Sequence, residues 1–202
     1  MKQKKLSPLQ VRKELLNKKV SLFTPQEFGR FFHGSPQKTK YFLETYTKQG
    51  MFVRLKQGLY AFEGRFPIGE EIANALYKPS YISFEYALAT YGIIPEVVYT
   101  ITSATTKPTR AFEAADLGFS YFTIKKQAFT GYTLVKGEGA RTSAVLVAEP
   151  EKAVVDYLYF VSLGKRQPND RMTITGLDKK KIMRYAKLYK RPGLVKLIQN
   201  LP

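Results

Sequence analysis

The alternation of apolar and polar positions divides the first third of the chain into short, punctuated elements. Over residues 8–19, Val11, Leu15 and Leu16 recur at helical spacing while Arg12, Lys13, Lys18 and Lys19 fall on the other side, which predicts an amphipathic helix. Residues 20–23 form a short extended run. Thr24-Pro25-Gln26-Glu27 is a capping box with proline at the first helical position, opening a second helix that carries Phe28, Phe31 and Phe32 and stops near Gly34. Ser35-Pro36 repeats that start signal. The third helix keeps Phe42, Leu43 and Tyr46 on one side and Gln37, Lys38, Lys40, Tyr41, Glu44, Thr45 and Lys48 on the other. Gly50 is suited to end it in a left-handed conformation. Two β-prone runs, 52–55 and 59–62, flank Lys56-Gln57-Gly58 and predict a hairpin with Arg54 and Lys56 near its tip. Helix, turn, helix and basic hairpin in that order predict a winged helix-turn-helix domain over residues 1–64.

Glu63-Gly64-Arg65-Phe66-Pro67 gathers glycine, charge and proline, and the domain boundary is placed there. Helices are expected over 67–77, from Ser83 to Tyr91, over 150–160, and from Asp178 to Pro192, with a last one over 194–201. Strands are expected over 97–102, 119–124, 131–135 and 144–147, with 103–110 as a polar loop. The fold class is therefore α+β: the N-terminal domain followed by a mixed α/β domain over 65–202. No internal repeat is present.

Charge adds the partner. The chain of 202 residues holds 33 Lys and Arg against 16 Asp and Glu, a net charge of +17. The basic residues run from Lys2 to Arg191, so the whole molecule attracts polyanions. Nucleic acid and an anionic membrane surface both fit that sign. No apolar run reaches the roughly 20 residues of a membrane span, and Arg12, Lys13 and Glu14 interrupt what would follow a secretory signal. Without cysteine there are no disulfides, thiolate metal sites or cysteine nucleophiles. A cytoplasmic protein without membrane contact is expected.

Among candidate sites, Gln37, Lys38, Lys40 and Tyr41 at the start of the third helix suit the major groove, where Gln reads adenine and Lys reaches guanine or phosphate. Lys48 continues that side, and Arg54 and Lys56 would reach backbone or minor groove. Thr105, Thr106, Lys107 and Arg110 combine hydroxyls and cations that suit an anion, although a polar loop after a strand accounts for them somewhat better. Lys180, Arg184, Lys187 and Arg191 form a basic stripe, either a second polyanion surface or a solvated helix face. Glu149, Glu151, Lys152 and Asp156 read as a salt-bridged helix start. Enzyme chemistry has little to work with. His33 is the single histidine, Gly137-Glu138-Gly139 lacks the third glycine of a dinucleotide loop, and Asp116-Leu117-Gly118 lacks the surrounding kinase motifs. No catalytic residue, metal or cofactor is expected.

Several blocks resemble a known family. They are Tyr81-Ile82-Ser83-Phe84-Glu85-Tyr86-Ala87-Leu88, Tyr91-Gly92-Ile93-Ile94-Pro95-Glu96, Tyr99-Thr100-Ile101-Thr102-Ser103 and Thr105-Thr106-Lys107-Pro108-Thr109-Arg110-Ala111-Phe112. Tyr121 with Ile124, Phe129-Thr130-Gly131-Tyr132, and Val147-Ala148-Glu149-Pro150-Glu151-Lys152-Ala153 with Asp156 complete them. In this order they resemble the AbiE-type abortive-infection antitoxins, which are type IV antitoxins and transcriptional regulators. The family's more uniformly basic run is here interrupted by Pro108. The resemblance implies a repressor that binds inverted repeats in its own promoter. It also implies an antitoxin that counters a nucleotidyltransferase toxin without a stable complex, in phage defence or plasmid maintenance.

Two other readings stand beside this one. A winged-helix regulator with no toxin partner would carry a small-molecule sensor, lined by Tyr and Phe, in its C-terminal domain. An RNA-binding accessory factor would rest on charge alone. Cooperative monomers and a homodimer suit a palindromic site equally.

Overall fold

The computed structural model describes residues 6–136 and 144–200, and the chain divides into two compact units, Met1–Leu76 and Tyr77–Pro202. The fold is mixed α+β, with helices and a sheet in each unit. Gly137-Glu138-Gly139 and the helix end expected at Leu201 lie outside the described residues. No helix among the described residues is long and apolar enough to cross a membrane.

The first unit runs α1 (Pro8–Asn17), β1 (Leu22–Phe23), α2 (Pro25–Phe32), α3 (Pro36–Lys48), β2 (Phe52–Lys56), β3 (Leu59–Phe62) and α4 (Gly69–Leu76). Its start and stop signals act as their chemistry dictates. Thr24 Oγ1 accepts from the Glu27 amide at 3.2 Å while the Glu27 carboxylate accepts from the Thr24 amide at 2.7 Å. Ser35 Oγ accepts from the Lys38 amide and Pro36 opens α3. His33 ends α2 as a turn residue in the left-handed region, and Gly50 and Gly58 supply positive φ after α3 and in the hairpin turn. The strands form an antiparallel sheet in the order β1-β3-β2, with Leu22 opposite Ala61 and Arg54 opposite Tyr60.

Phenylalanines from several of these elements meet in one core. Phe28 has no exposed surface and its ring lies 5.3 Å from Phe23, 4.6 Å from Phe32, 5.6 Å from Phe42 and 5.9 Å from Phe52. Tilted and edge-on ring pairs of this kind add about 0.5–1.5 kcal/mol each to the area they bury.

The two units part after Leu76, not near residue 64. The segment read as a linker is a 3-10 turn, Glu63–Arg65, and α4 is bonded back into the first unit. The Glu71 carboxylate accepts from Ser21 Oγ at 2.9 Å, and the Lys56 ammonium donates to the Leu76 carbonyl.

The second unit runs β4 (Ser80–Ile82), α5 (Phe84–Thr90), β5 (Ile101–Thr105), β6 (Arg110–Ala114), β7 (Leu117–Thr123), β8 (Tyr132–Lys136), β9 (Ala144–Ala148), α6 (Pro150–Ser162), α7 (Lys179–Leu188) and α8 (Pro192–Gln199). Its six-stranded sheet has the order β6-β7-β5-β4-β9-β8. The strand expected over 97–102 lies further along the chain. Val97 and Tyr99 are exposed, whereas every residue of β5 is buried between β4 and β7. The first three residues of the stretch expected as a polar loop, 103–105, are thus central strand, and two of the three β5 hydroxyls are turned to backbone carbonyls: Thr102 Oγ1 donates to Ser83 O and Thr105 Oγ1 to Pro79 O, both at 2.7 Å. The polar stretch also contains the start of β6, a strand that its composition does not signal. Ala115 and Asp116, both with positive φ, make the two-residue turn that joins it to β7.

α6 is buried on all sides from Glu151 to Val161. Lys152 and Asp156, one helical turn apart, form an ion pair with no exposed surface. Asp156 Oδ2 accepts from Tyr81 OH at 2.9 Å and Ser83 Oγ at 2.8 Å, and Oδ1 accepts from Lys152 and Tyr189 OH. Ser83 precedes α5 as expected, but its hydroxyl serves Asp156 and caps no helix. This cluster ties β4, α6 and the end of α7 together, where the sequence suggested only a local salt-bridged helix start.

The buried cluster sets both the stability of the second unit and its response to alkali. Lys152→Met leaves the Asp156 charge without its counter-ion and is expected to destabilise the chain by about 3–5 kcal/mol in denaturant unfolding. Burial, reinforced by Asp156, raises the Tyr81 and Tyr189 phenols well above the ordinary 10.0, and burial alone raises Tyr121. Above pH 10 the unfolded chain therefore releases phenolic protons that the folded chain keeps, and stability falls as pH rises. Lys152, lowered by burial against the pull of Asp156, works the other way only up to its ordinary 10.5. Tyrosinate absorbance is expected to show part of the 14 tyrosines ionising before unfolding and the rest only with it. A single titration of all of them in the folded protein would contradict this.

Candidate nucleic-acid interface

α3 has one face it cannot turn outward. Thr39, Phe42 and Leu43 are buried and Phe42 packs on Phe28, Tyr46 and Phe52, so the remaining positions are fixed on the outside. Gln37, Tyr41, Glu44 and Lys48 follow one another at i, i+4, i+7 and i+11 down that exposed face. Tyr41 is 73% exposed. Lys40 flanks the row on one side and Lys38 on the other. Lys40 approaches Glu44 at 4.0 Å, but both side chains stand more than half in solvent, so the pair contributes little.

The hairpin divides the expected wing residues. Arg54 is exposed on β2, an edge strand. Lys56 is half-buried and its ammonium donates to the Leu76 carbonyl at the last turn of α4. A cation at the carbonyl end of a helix is favoured by the helix dipole and by otherwise unpaired carbonyls. Lys56 therefore caps α4, a bond that its expected role as a DNA contact did not include.

Gln37, Lys38 and Tyr41 also border a groove of about 820 Å³ between α2 and α3, whose floor includes Phe28, Phe32, Phe42 and Tyr46. This concavity lies in the first unit, whereas the sequence reading with a sensor placed its pocket in the C-terminal domain.

The other candidate residues separate as well. Thr105 is fully buried, its hydroxyl donating to Pro79 O and accepting from the Lys107 amide, so it has nothing to offer an anion. Thr106 is half-buried, and the exposed Lys107 and Arg110 lie over the rings of Tyr77 and Phe112 at 5.3 and 5.1 Å. These four residues do not converge on one anion site. Of the C-terminal stripe, Lys180, Arg184 and Lys187 are exposed on α7, opposite the buried Ile182, Tyr185 and Ala186. Arg191 leaves that row. It lies beyond α7, and its guanidinium donates to Ser162 Oγ at 2.9 Å and Ser162 O at 2.6 Å, closing the end of α6.

The start of α6 is salt-bridged as expected, but the Lys152–Asp156 pair is fully buried, and the sequence holds a signal for that burial. From Ala153 to Val161, Asp156 is the one charge in a helix apolar all round, and such a helix is a buried one. All four donors and the carboxylate satisfy one another, which is the pattern of a structural network. Comparison of the chain with protein-family models and with curated proteins returns no match.

Because Lys56 caps α4, Lys56→Met is expected to lower the stability of the first unit by about 1 kcal/mol, seen as a reduced melting temperature. It should leave the salt dependence of nucleic-acid binding unchanged. An unchanged melting temperature with a shallower salt dependence would return Lys56 to the interface.

Proposed function

We propose that the first unit is a winged helix-turn-helix domain that binds duplex DNA, with α3 as the recognition helix and the β2–β3 hairpin as the wing. The observation that carries this reading is the fixed outward face of α3, where Gln37, Tyr41 and Lys48 stand in one row with Lys40 beside it and Arg54 exposed on the adjoining hairpin. Gln37 suits adenine and Tyr41 suits backbone or a thymine methyl, while Lys40, Lys48 and Arg54 suit phosphates. Glu44 within the same row can accept from cytosine and disfavour other bases.

The second half of the proposal rests on the family resemblance over residues 81–156. On that basis the chain is a transcriptional autorepressor and the antitoxin of a type IV toxin–antitoxin pair, opposing a nucleotidyltransferase toxin without forming a stable complex. It would act in the cytoplasm on inverted repeats of its own promoter.

Footprinting on DNA upstream of the chain's own gene, with toxin co-expression in parallel, tests both halves. Protection of an inverted repeat and relief of growth arrest are expected. The double variant Lys40→Ala, Arg54→Ala should make the slope of log affinity against log salt shallower by about 1.8, or about 0.9 for each phosphate no longer neutralised. An unaltered slope would remove these side chains from the interface. A footprint without toxin relief would leave a regulator with no toxin partner.

A further inference from the structure

α7 carries a surface that the proposed DNA-binding unit does not account for. The sequence from Asp178 to Pro202 holds Lys179, Lys180, Lys181, Arg184, Lys187, Lys190, Arg191 and Lys196 against a single carboxylate, Asp178. That carboxylate is engaged in capping α7, accepting from the Lys180 amide at 2.8 Å and the Lys181 amide at 3.2 Å. The nearby carboxylates at the start of α6 are engaged too. Lys181 bridges Glu149 and Glu151 at 3.1 Å each, and Tyr185 OH donates to Glu149. Among the described residues, Lys180, Lys187 and Lys190 are exposed and in no ion pair with a carboxylate, and the exposed Arg184 lies over the Tyr185 ring at 5.6 Å.

The face is held in place from beneath. Tyr185 and Tyr189 bond to Glu149 and Asp156, at the start and within α6, so α7 cannot roll to scatter its cations. Gln127 Nε2 donates to Leu188 O at 2.8 Å, which seats the 3-10 turn Lys126–Ala128 against the end of α7 and brings the exposed Lys125 and Lys126 beside it. At 1.5 Å per residue, Lys180 to Lys187 spans about 10 Å of rigid helix. The row holds no exposed aromatic side chain on which an unstacked base could lie, which argues against single strands.

We propose that the α7 face is a second nucleic-acid surface, which grips the phosphate backbone of duplex DNA without reading its sequence. The choice of DNA as the duplex rests on the proposed function of the first unit; the cationic face itself does not.

The test uses the full-length chain and a DNA duplex of arbitrary sequence, with binding followed by fluorescence anisotropy across a salt series. The variant Lys180→Gln, Arg184→Gln, Lys187→Gln should bind about tenfold or more weakly at moderate salt and show a slope shallower by about 2.7. Lys180→Arg with Lys187→Arg should keep the wild-type slope. The control variant Lys78→Gln, Lys136→Gln, Lys165→Gln removes equal charge from exposed positions elsewhere in the second unit and should also keep it. The Lys40→Ala, Arg54→Ala variant reports on the first unit separately, so either surface can fail alone. An unchanged slope in the α7 variant, or an equal loss in the control, would overturn the proposal. Tighter binding of an RNA hairpin than of DNA would overturn it as well.

Discussion

The burial of Phe28 among Phe23, Phe32, Phe42 and Phe52 is the constraint on which the first unit depends. Those rings come from α2, α3, β1 and β2, and no rotation of α3 keeps them packed. Interiors of this density resist small displacements, so the outward positions of α3 are as fixed as the inward ones. A cationic side chain on a helix that could roll would decorate solvent. On α3 it is directed.

The second unit solves a related problem with charge. α6 passes through its centre, where water is excluded, yet it carries Lys152 and Asp156. An isolated buried carboxylate is costly, and this one is offset by a lysine and three hydroxyls from β4, the β4–α5 junction and the end of α7. The network fixes which residue of each element faces the others. It also fixes α7, whose basic outer side is thereby held in one orientation. In both units a specific interior holds a cationic exterior still.

Local signals are the legible part of the sequence. The Thr24–Glu27 capping box, Ser35-Pro36, Gly50 and Gly58 each depend on atoms within a few residues, and each behaves as its local chemistry predicts. Strand placement is harder, because β5 is Ile-Thr-Ser-Ala-Thr, and its polarity conceals a fully buried strand whose two threonine hydroxyls bond to distant carbonyls. Lys56, Thr105 and Arg191 each make a bond that the sequence did not indicate, for one shared reason. Each bonds to a residue at least twenty positions away, at Leu76, Pro79 and Ser162, and no local pattern announces such a partner. Lys40, Tyr41, Lys48 and Arg54 are exposed where the sequence places them, since helical and strand periodicity suffices to define an outer face.

The most direct test of the central claim is the chemical reactivity of individual lysines in the free protein and in the presence of duplex DNA, read residue by residue by mass spectrometry. The account requires that Lys40 and Lys48 react readily in the free protein and become protected when DNA is added, while Lys56, already bonded to Leu76, reacts slowly in both states. Undiminished reactivity of Lys40 and Lys48 on DNA-saturated protein would contradict it.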